Sequence, residues 1–173
     1  MNFYPKIYLE NILEIKYEIL EKNNIKGIIL DMDNTLIDFN VNIVNGAKQW
    51  VKELKEKGIK LIIVSNSNKT EKLEKTSKEL EIDYIKFGMK PFKIGLMKAQ
   101  KILQIEPENI AVVGDQLFTD VLGANRCKMF SILVKPLDEK DIILTIIKRP
   151  LENYILQKYM KKTRNEEKNN VYK

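Results

Sequence analysis

The sequence predicts an α/β protein with a doubly wound parallel sheet of about five strands. Three observations carry that expectation. Short apolar runs rich in β-branched residues recur along the chain. Helical patterns separate them, and polar clusters fall just beyond the runs. Little strict alternation occurs within the runs, which is how strands covered on both faces read.

Taken in order, Lys6–Glu21 carries an amphipathic helical pattern. The first strand is expected at Ile25–Leu30. A helix over Asn45–Lys57 stops at Gly58, a residue that tolerates the left-handed turn after a helix. The second strand is Ile59–Val64. The next helix, Lys69–Glu81, is preceded by Asn68, which has capping-box spacing to Glu71. A third strand at Ile82–Lys86 leads to a helix over Phe92–Leu103, with Pro91 suited to its first turn. Strands at Asn109–Val113 and Met129–Val134 flank a shorter helix beginning near Thr119. Ile143, Ile147, Leu151, Ile155 and Tyr159 recur at every fourth position, so Asp141–Tyr159 reads as helical, kinked or broken at Pro150. The last ten residues, RNEEKNNVYK, read as a disordered basic tail. One domain is expected over residues 1–163, with a core at about 25–135 and a C-terminal helical segment at 138–163. Right-handed crossovers in such a Rossmann-like sheet bring all the strand C-termini to one edge, where ligands bind.

Composition removes several chemistries. There is no histidine and one cysteine, so a disulfide within the chain and the usual zinc ligand sets are out. Acid–base work must use another residue, such as Asp or Glu. A cysteine phosphatase needs Arg six residues after the nucleophile, where this chain has Leu133, so Cys127 reads as a small buried residue. No GxxxxGK loop is present, which disfavours a Walker-type NTPase. No apolar run reaches the ~20 residues of a membrane span. The charged N-terminal stretch is not a signal peptide, and a cytoplasmic protein is the default. The net charge of +6 is uneven, since eight Lys and Arg face three Glu from Lys148 onward. Such a tail suits solvent, or contact with an anionic membrane at its inner face.

Four polar clusters follow the predicted strands. Asp31 and Asp33 follow the first, and Ser65 and Asn66 the second. Lys90 follows the third after a short loop. Gly114, Asp115 and Asp120 follow the fourth. Clustered carboxylates without histidine or thiol suit a hard cation such as Mg²⁺. A lysine and a hydroxyl beside it suit phosphate oxygens. One carboxylate can then attack phosphorus while its neighbour moves a proton, because different surroundings separate their pKa values.

These clusters resemble the haloacid dehalogenase (HAD) superfamily of phosphohydrolases. DMDNTL matches its first motif, Ser65 its second, Lys90 its third, and GDQLFTD its fourth in the form of the IIIA-type subgroup. The resemblance spans Ile25 to about Val134. GIILDMDNTL and VGDQLFTDVLGANR look most like the YqeG branch, which is related to phosphatidylglycerophosphate phosphatases. It implies Asp31 as a phosphorylated nucleophile and metal ligand, with Asp33 as general acid and base that also offers its backbone carbonyl to Mg²⁺. Asp115 would be the third ligand. Ser65 and Lys90 would hold the phosphoryl oxygens, Asp120 would orient Lys90 or a metal-bound water, and Asn34 and Asn66 would add backbone N–H groups.

Family members choose substrates with inserted cap domains. Neither the Leu36–Val64 gap nor the Asn66–Met89 gap has room for one of about 50 residues. An open site on a phosphorylated substrate is expected, with phosphatidylglycerophosphate as one candidate. A cap lent by another subunit leaves an oligomer open. Two readings of another class are a phosphorylation-switched module like a receiver domain, and an RNA- or ribosome-binding module on the same fold. The first has its carboxylates in the wrong order, and the second rests on the basic tail alone, so no nucleic acid is expected.

Overall fold

The computed structural model describes residues 3–138, 150–152 and 154–163. The expected helical pattern at 141–149 and the tail at 164–173 lie outside the described residues. Six strands form one parallel sheet in the order β1-β6-β5-β2-β3-β4. They are β1 (Ile7–Leu9), β2 (Gly27–Leu30), β3 (Lys60–Val64), β4 (Asp83–Ile85), β5 (Ile110–Gly114) and β6 (Phe130–Val134). Helices α1 (Tyr17–Lys22), α2 (Ala47–Glu56), α3 (Thr70–Leu80), α4 (Lys93–Leu103) and α5 (Leu122–Arg126) connect them. Residues 150–152 and 154–163 are helical.

Both faces of the sheet are covered. Ile28, Leu30, Leu61, Ile63, Ala111 and Val113 pack with Trp50, Val51 and Leu73 on one side. Ile29, Ile62, Val64, Ile110 and Val112 pack with Leu96, Ala99 and Ala124 on the other. Each fully buried Ile or Leu of these strands contributes roughly 1.5–3 kcal/mol of apolar transfer. Trp50 takes its ring into the core and keeps its N–H satisfied by the Ile15 carbonyl at 2.9 Å. Cys127 is buried, as its composition-based reading expects.

Strand order reverses direction at β2. From there the chain builds outward through β3 and β4, then returns to add β5 and β6 on the other side, where β6 pairs with β1, the strand laid down before β2. Leu30 lies level with Ile63 and Val113, so the residues that follow β2, β3 and β5 emerge together. That crevice is where such sheets bind ligands.

The structure corrects several local expectations. Ile7–Leu9 is not helical. It adds a sixth strand, parallel to β6, because the open edge of β6 offers its backbone groups more partners than a helical turn would. Only Ile12–Glu14, a single tight turn, and α1 are helical in that segment. The capping box before α3 does not form: the N-cap is Lys69, and the Ser67 hydroxyl accepts the Lys69 N–H at 3.2 Å. Pro91 precedes the N-cap Phe92 instead of entering the first turn of α4, and its bond to Lys90 is cis. Gly58 does follow α2 in the left-handed region, at φ 81°.

The C-terminal helix covers a small third cluster, in which Ile155 and Leu156 pack on Leu117, Val121 and Leu133. Glu152 is buried there and accepts the Phe118 N–H at 3.2 Å. Between Leu36 and Val64 the chain forms a tight hairpin bridged at Ile37 and Ile43, then α2 and β3. Between Asn66 and Met89 it forms α3 and β4. Neither stretch holds an inserted domain.

Close backbone approach fixes the loop after β4. A Cβ at Gly95 would lie 2.2 Å from the Gly88 carbonyl oxygen. Gly95→Ala should therefore push that loop off α4 and cost about 1–3 kcal/mol, read as a lower urea midpoint with an unchanged slope.

Candidate active site

Asp31 is the first residue beyond β2. Its N–H still donates to the Val113 carbonyl at 2.8 Å, so the backbone remains in the sheet while the side chain leaves it. Asp115 follows β5 directly, and Ser65 follows β3. The three strands are neighbours, so the sheet delivers two carboxylates and a hydroxyl to one edge.

Lys90 arrives by a different route. It is five residues past β4, and nearly all its surface is buried. Asn66 holds its backbone from both sides: the Asn66 Oδ1 accepts the Lys90 N–H, and the Asn66 Nδ2 donates to the Lys90 carbonyl, each at 2.8 Å. The Gly88 N–H donates to the Ser65 carbonyl at 2.8 Å, and a Cβ at Gly88 would collide with Val64. The loop is thus laid along the end of β3. Arg126 adds a hydrogen bond to the Pro91 carbonyl at 3.3 Å.

So placed, the Lys90 ammonium lies 2.5 Å from Asp31 Oδ1 and 2.7 Å from Asp120 Oδ1. Asp120 is buried in a π-helical turn, Leu117–Val121, where the wider winding turns its side chain inward. Its other oxygen accepts the Gln116 N–H and the Thr119 hydroxyl, each at 3.2 Å. Gly114 makes room for it, since a Cβ there would lie 2.2 Å from the Asp120 carboxyl carbon.

Oxygens of Asp31, Asp115 and Asp120 lie within 4.8 Å of one another, all buried. Asp33 is half-buried and stands apart from this trio. The set is hard oxygen donors only. Three carboxylates around one ammonium leave an excess of negative charge, which fits a small divalent cation held by Asp31 and Asp115.

The charges show in the titration. Burial pushes the Asp31 carboxyl up to about 7; Lys90 pulls it down, while Asp120 and Asp33 add to the rise. Burial also raises Asp33, with Lys72, Lys69 and Lys90 opposing. Burial works against the Lys90 charge, but Asp120 and Asp31 outweigh it and hold the ammonium protonated well above its ordinary range.

Asp31, Asp33, Ser65, Asn66 and Lys90 line one polar cleft of about 410 Å³, together with Gln116 and Thr119. Asp115 does not line the cleft; it is buried with its carboxylate beside those of Asp31 and Asp120. One expected backbone donor needs revision. The Asn34 N–H is already given to the Ile37 carbonyl at 2.9 Å, because Asn34 adopts a left-handed turn at φ 61°. Asn66 commits its side chain to Lys90. Ser67, Asn68 and Lys69 complete the cleft wall; the sequence marks Asn68 and Lys69 only as the start of a helix, and Ser67 not at all. Gln116 and Thr119 lie inside the GDQLFTD run and were legible there, but as spacing between acids.

Comparison with known proteins places this arrangement. The model of a family described as mitochondrial PGP phosphatase matches residues 1–137. The chain is 38% identical over 161 residues to "Probable phosphatase YqeG" of Bacillus subtilis (strain 168), covering 92% of this chain and 93% of that one. It is 24% identical over 169 residues to the chloroplastic/mitochondrial phosphatidylglycerophosphate phosphatase 1 of Arabidopsis thaliana, covering 91% of this chain and 48% of that one. The cobalt-bound deoxy-D-mannose-octulosonate 8-phosphate phosphatase of Haemophilus influenzae shares the fold at a TM-score of 0.51 and 18% identity, covering 66% of this chain and 80% of that structure.

Two outcomes follow from the geometry. Asp31 binds its proton more tightly folded than unfolded, so its stabilising contribution is complete below the unfolded value and vanishes as pH rises through about 7. In EDTA, stability to urea should fall between about pH 4 and that value, and less steeply in Asp31→Asn. Asn66→Ala should lose about 1–3 kcal/mol by removing both bonds to the Lys90 backbone, measured by the same unfolding at one pH.

Proposed function

The chain belongs to the mitochondrial PGP phosphatase family and is a phosphatase of haloacid dehalogenase type, and from that premise we propose that it hydrolyses phosphomonoesters through Asp31, with phosphatidylglycerophosphate as substrate. The observation that carries this reading is the buried chain Asp31–Lys90–Asp120, of which Asp31 and Lys90 line the polar cleft.

Each side chain has a role its surroundings support. An ammonium has three donors. Asp31 and Asp120 take two of those on Lys90, and the third is available to a phosphoryl oxygen. The Ser65 oxygen accepts the Ser67 N–H at 3.0 Å, which leaves its hydroxyl proton for a second phosphoryl oxygen. Asp31 attacks phosphorus, forming an Asp31–phosphorus bond as the ester oxygen–phosphorus bond breaks. Asp33, whose burial favours the protonated form, gives its proton to the departing oxygen. Asp33 then takes a proton from water, the water oxygen attacks phosphorus, and the bond to Asp31 breaks to release inorganic phosphate. Asp31, Asp115 and the Asp33 carbonyl would hold Mg²⁺, which when bound supplies charge that balances the carboxylates and the phosphoryl group.

The lipid as substrate is supported by the family's description and by the absence of an inserted domain over the cleft. A bulky phosphate monoester can approach from solvent. No helix among the described residues is long and apolar enough to cross a membrane.

Purified protein with Mg²⁺ should release phosphate from phosphatidylglycerophosphate in mixed micelles and from a soluble aryl phosphate. EDTA should stop both, and Asp31→Asn should lower turnover about 10³-fold or more. Undiminished turnover in Asp31→Asn would remove Asp31 from the nucleophile's role. Hydrolysis of the aryl phosphate alone would keep the chemistry and discard the lipid.

A further inference from the structure

The loop that carries Lys90 shows an unusual surface. Phe87, Met89, Phe92 and Ile94 are 52%, 47%, 65% and 62% exposed, four large apolar side chains within eight residues. Phe87 and Met89 hold φ of 54° and 50°, the left-handed region that large side chains avoid. Local backbone strain is therefore maintained while both side chains remain in water, which packing in this chain does not explain. Lys86 and Lys93 are exposed in the same stretch, and KFGMKPFKI contains no carboxylate.

The position of the loop gives this surface meaning. It leaves the C-terminal end of β4 and enters the N-terminal end of α4. Both lie at the sheet edge that holds the cleft, and Lys90 sits in the middle of the segment. A surface on which the four apolar side chains rest would bring phosphate groups to the cleft's level.

We infer that the 86–94 loop docks the protein on an anionic lipid bilayer, with the four apolar side chains in the headgroup region and Lys86 and Lys93 against anionic headgroups. The combination of exposed aromatic and aliphatic side chains with lysines and no acid is the pattern that binds membrane interfaces. A second copy of the chain fits less well. A symmetric contact through this loop would set Lys86 and Lys93 against their own counterparts, with no carboxylate in the stretch to neutralise them. The inference rests on the proposed lipid substrate for its purpose, yet docking is measured without turnover. It also moves membrane contact from the basic tail to the rim of the site.

The test is sedimentation of the full chain with vesicles of phosphatidylcholine alone, or with 30% phosphatidylglycerol, at low salt; these proportions are roughly those that give a strongly anionic surface. The variant Phe87→Asn/Met89→Asn/Phe92→Ser/Ile94→Ser keeps residues tolerant of φ > 0 where they are needed. Wild type should pellet with the anionic vesicles, and the variant should partition about tenfold more weakly or worse. Both should hydrolyse a soluble aryl phosphate equally, which establishes that the variant is folded. Equal pelleting of the two proteins would overturn the inference, as would no pelleting of the wild type. Loss of an oligomer in the variant, seen by sedimentation velocity without any vesicle binding, would assign the loop to a protein interface instead. Absence of aryl phosphate hydrolysis in both would count against the catalytic reading and leave the vesicle result to stand by itself.

Discussion

A lysine ammonium almost fully withdrawn from water is the constraint around which this protein is arranged. A buried charge of that kind persists only if its partners are held in place, because removing one would leave the other uncompensated at a cost of about 3–5 kcal/mol. Asp31 and Asp120 supply the partners from opposite directions. Asp31 is fixed by the sheet, Asp120 by a π-helical turn, and Lys90 by the side chain of Asn66. The glycines at 88, 95 and 114 are where the Val64 side chain, the Gly88 backbone and the Asp120 carboxylate, in turn, come too close for a Cβ. Two of the three, Asp31 and Lys90, also line the polar cleft.

Much of this was legible along the chain. Runs such as GIIL and IAVVG announce strands buried on both faces, and the residue after each run falls at the ligand edge by topology alone. Asp31, Ser65 and Asp115 could therefore be located from strand ends, and Lys90 from its place in the motif order. The edge strand could not. IYL is too short to distinguish a strand from a helical turn, and its pairing with β6 is decided by a neighbour more than a hundred residues away. Side-chain bonds to distant backbone were equally hidden. Nothing in LIIVSNSN says that Asn66 will clasp Lys90, because that contact depends on how the loop after β4 returns over β3. The failed capping box before α3 has a similar cause. Ser67 and Asn68 are drawn into turns that begin at Ser65, which leaves Lys69 to start the helix.

The pattern of acids also divides more finely in space than in sequence. Asp31, Asp115 and Asp120 share one buried cluster, while Asp33, two residues from Asp31, is half-exposed and feels Lys72 of α3, Lys69 just before that helix, and Lys90. That difference follows from the chain leaving the sheet at Asp31. Met32 turns back into the core, and its carbonyl accepts the N–H groups of Leu36 and Ile37. Adjacent carboxylates thereby acquire unlike surroundings without any change in residue type, which is the condition for dividing two tasks between them.

The contact between Glu152 and the Phe118 N–H has a reach beyond packing. It clamps the last described helix onto the turn that presents Asp120, and Ile155 and Leu156 roof the same turn. A chain ending where the family match ends would retain every acid of the cleft and still expose the underside of their support. The described part of the C-terminal helix is thus a buttress for the turn that carries Asp120.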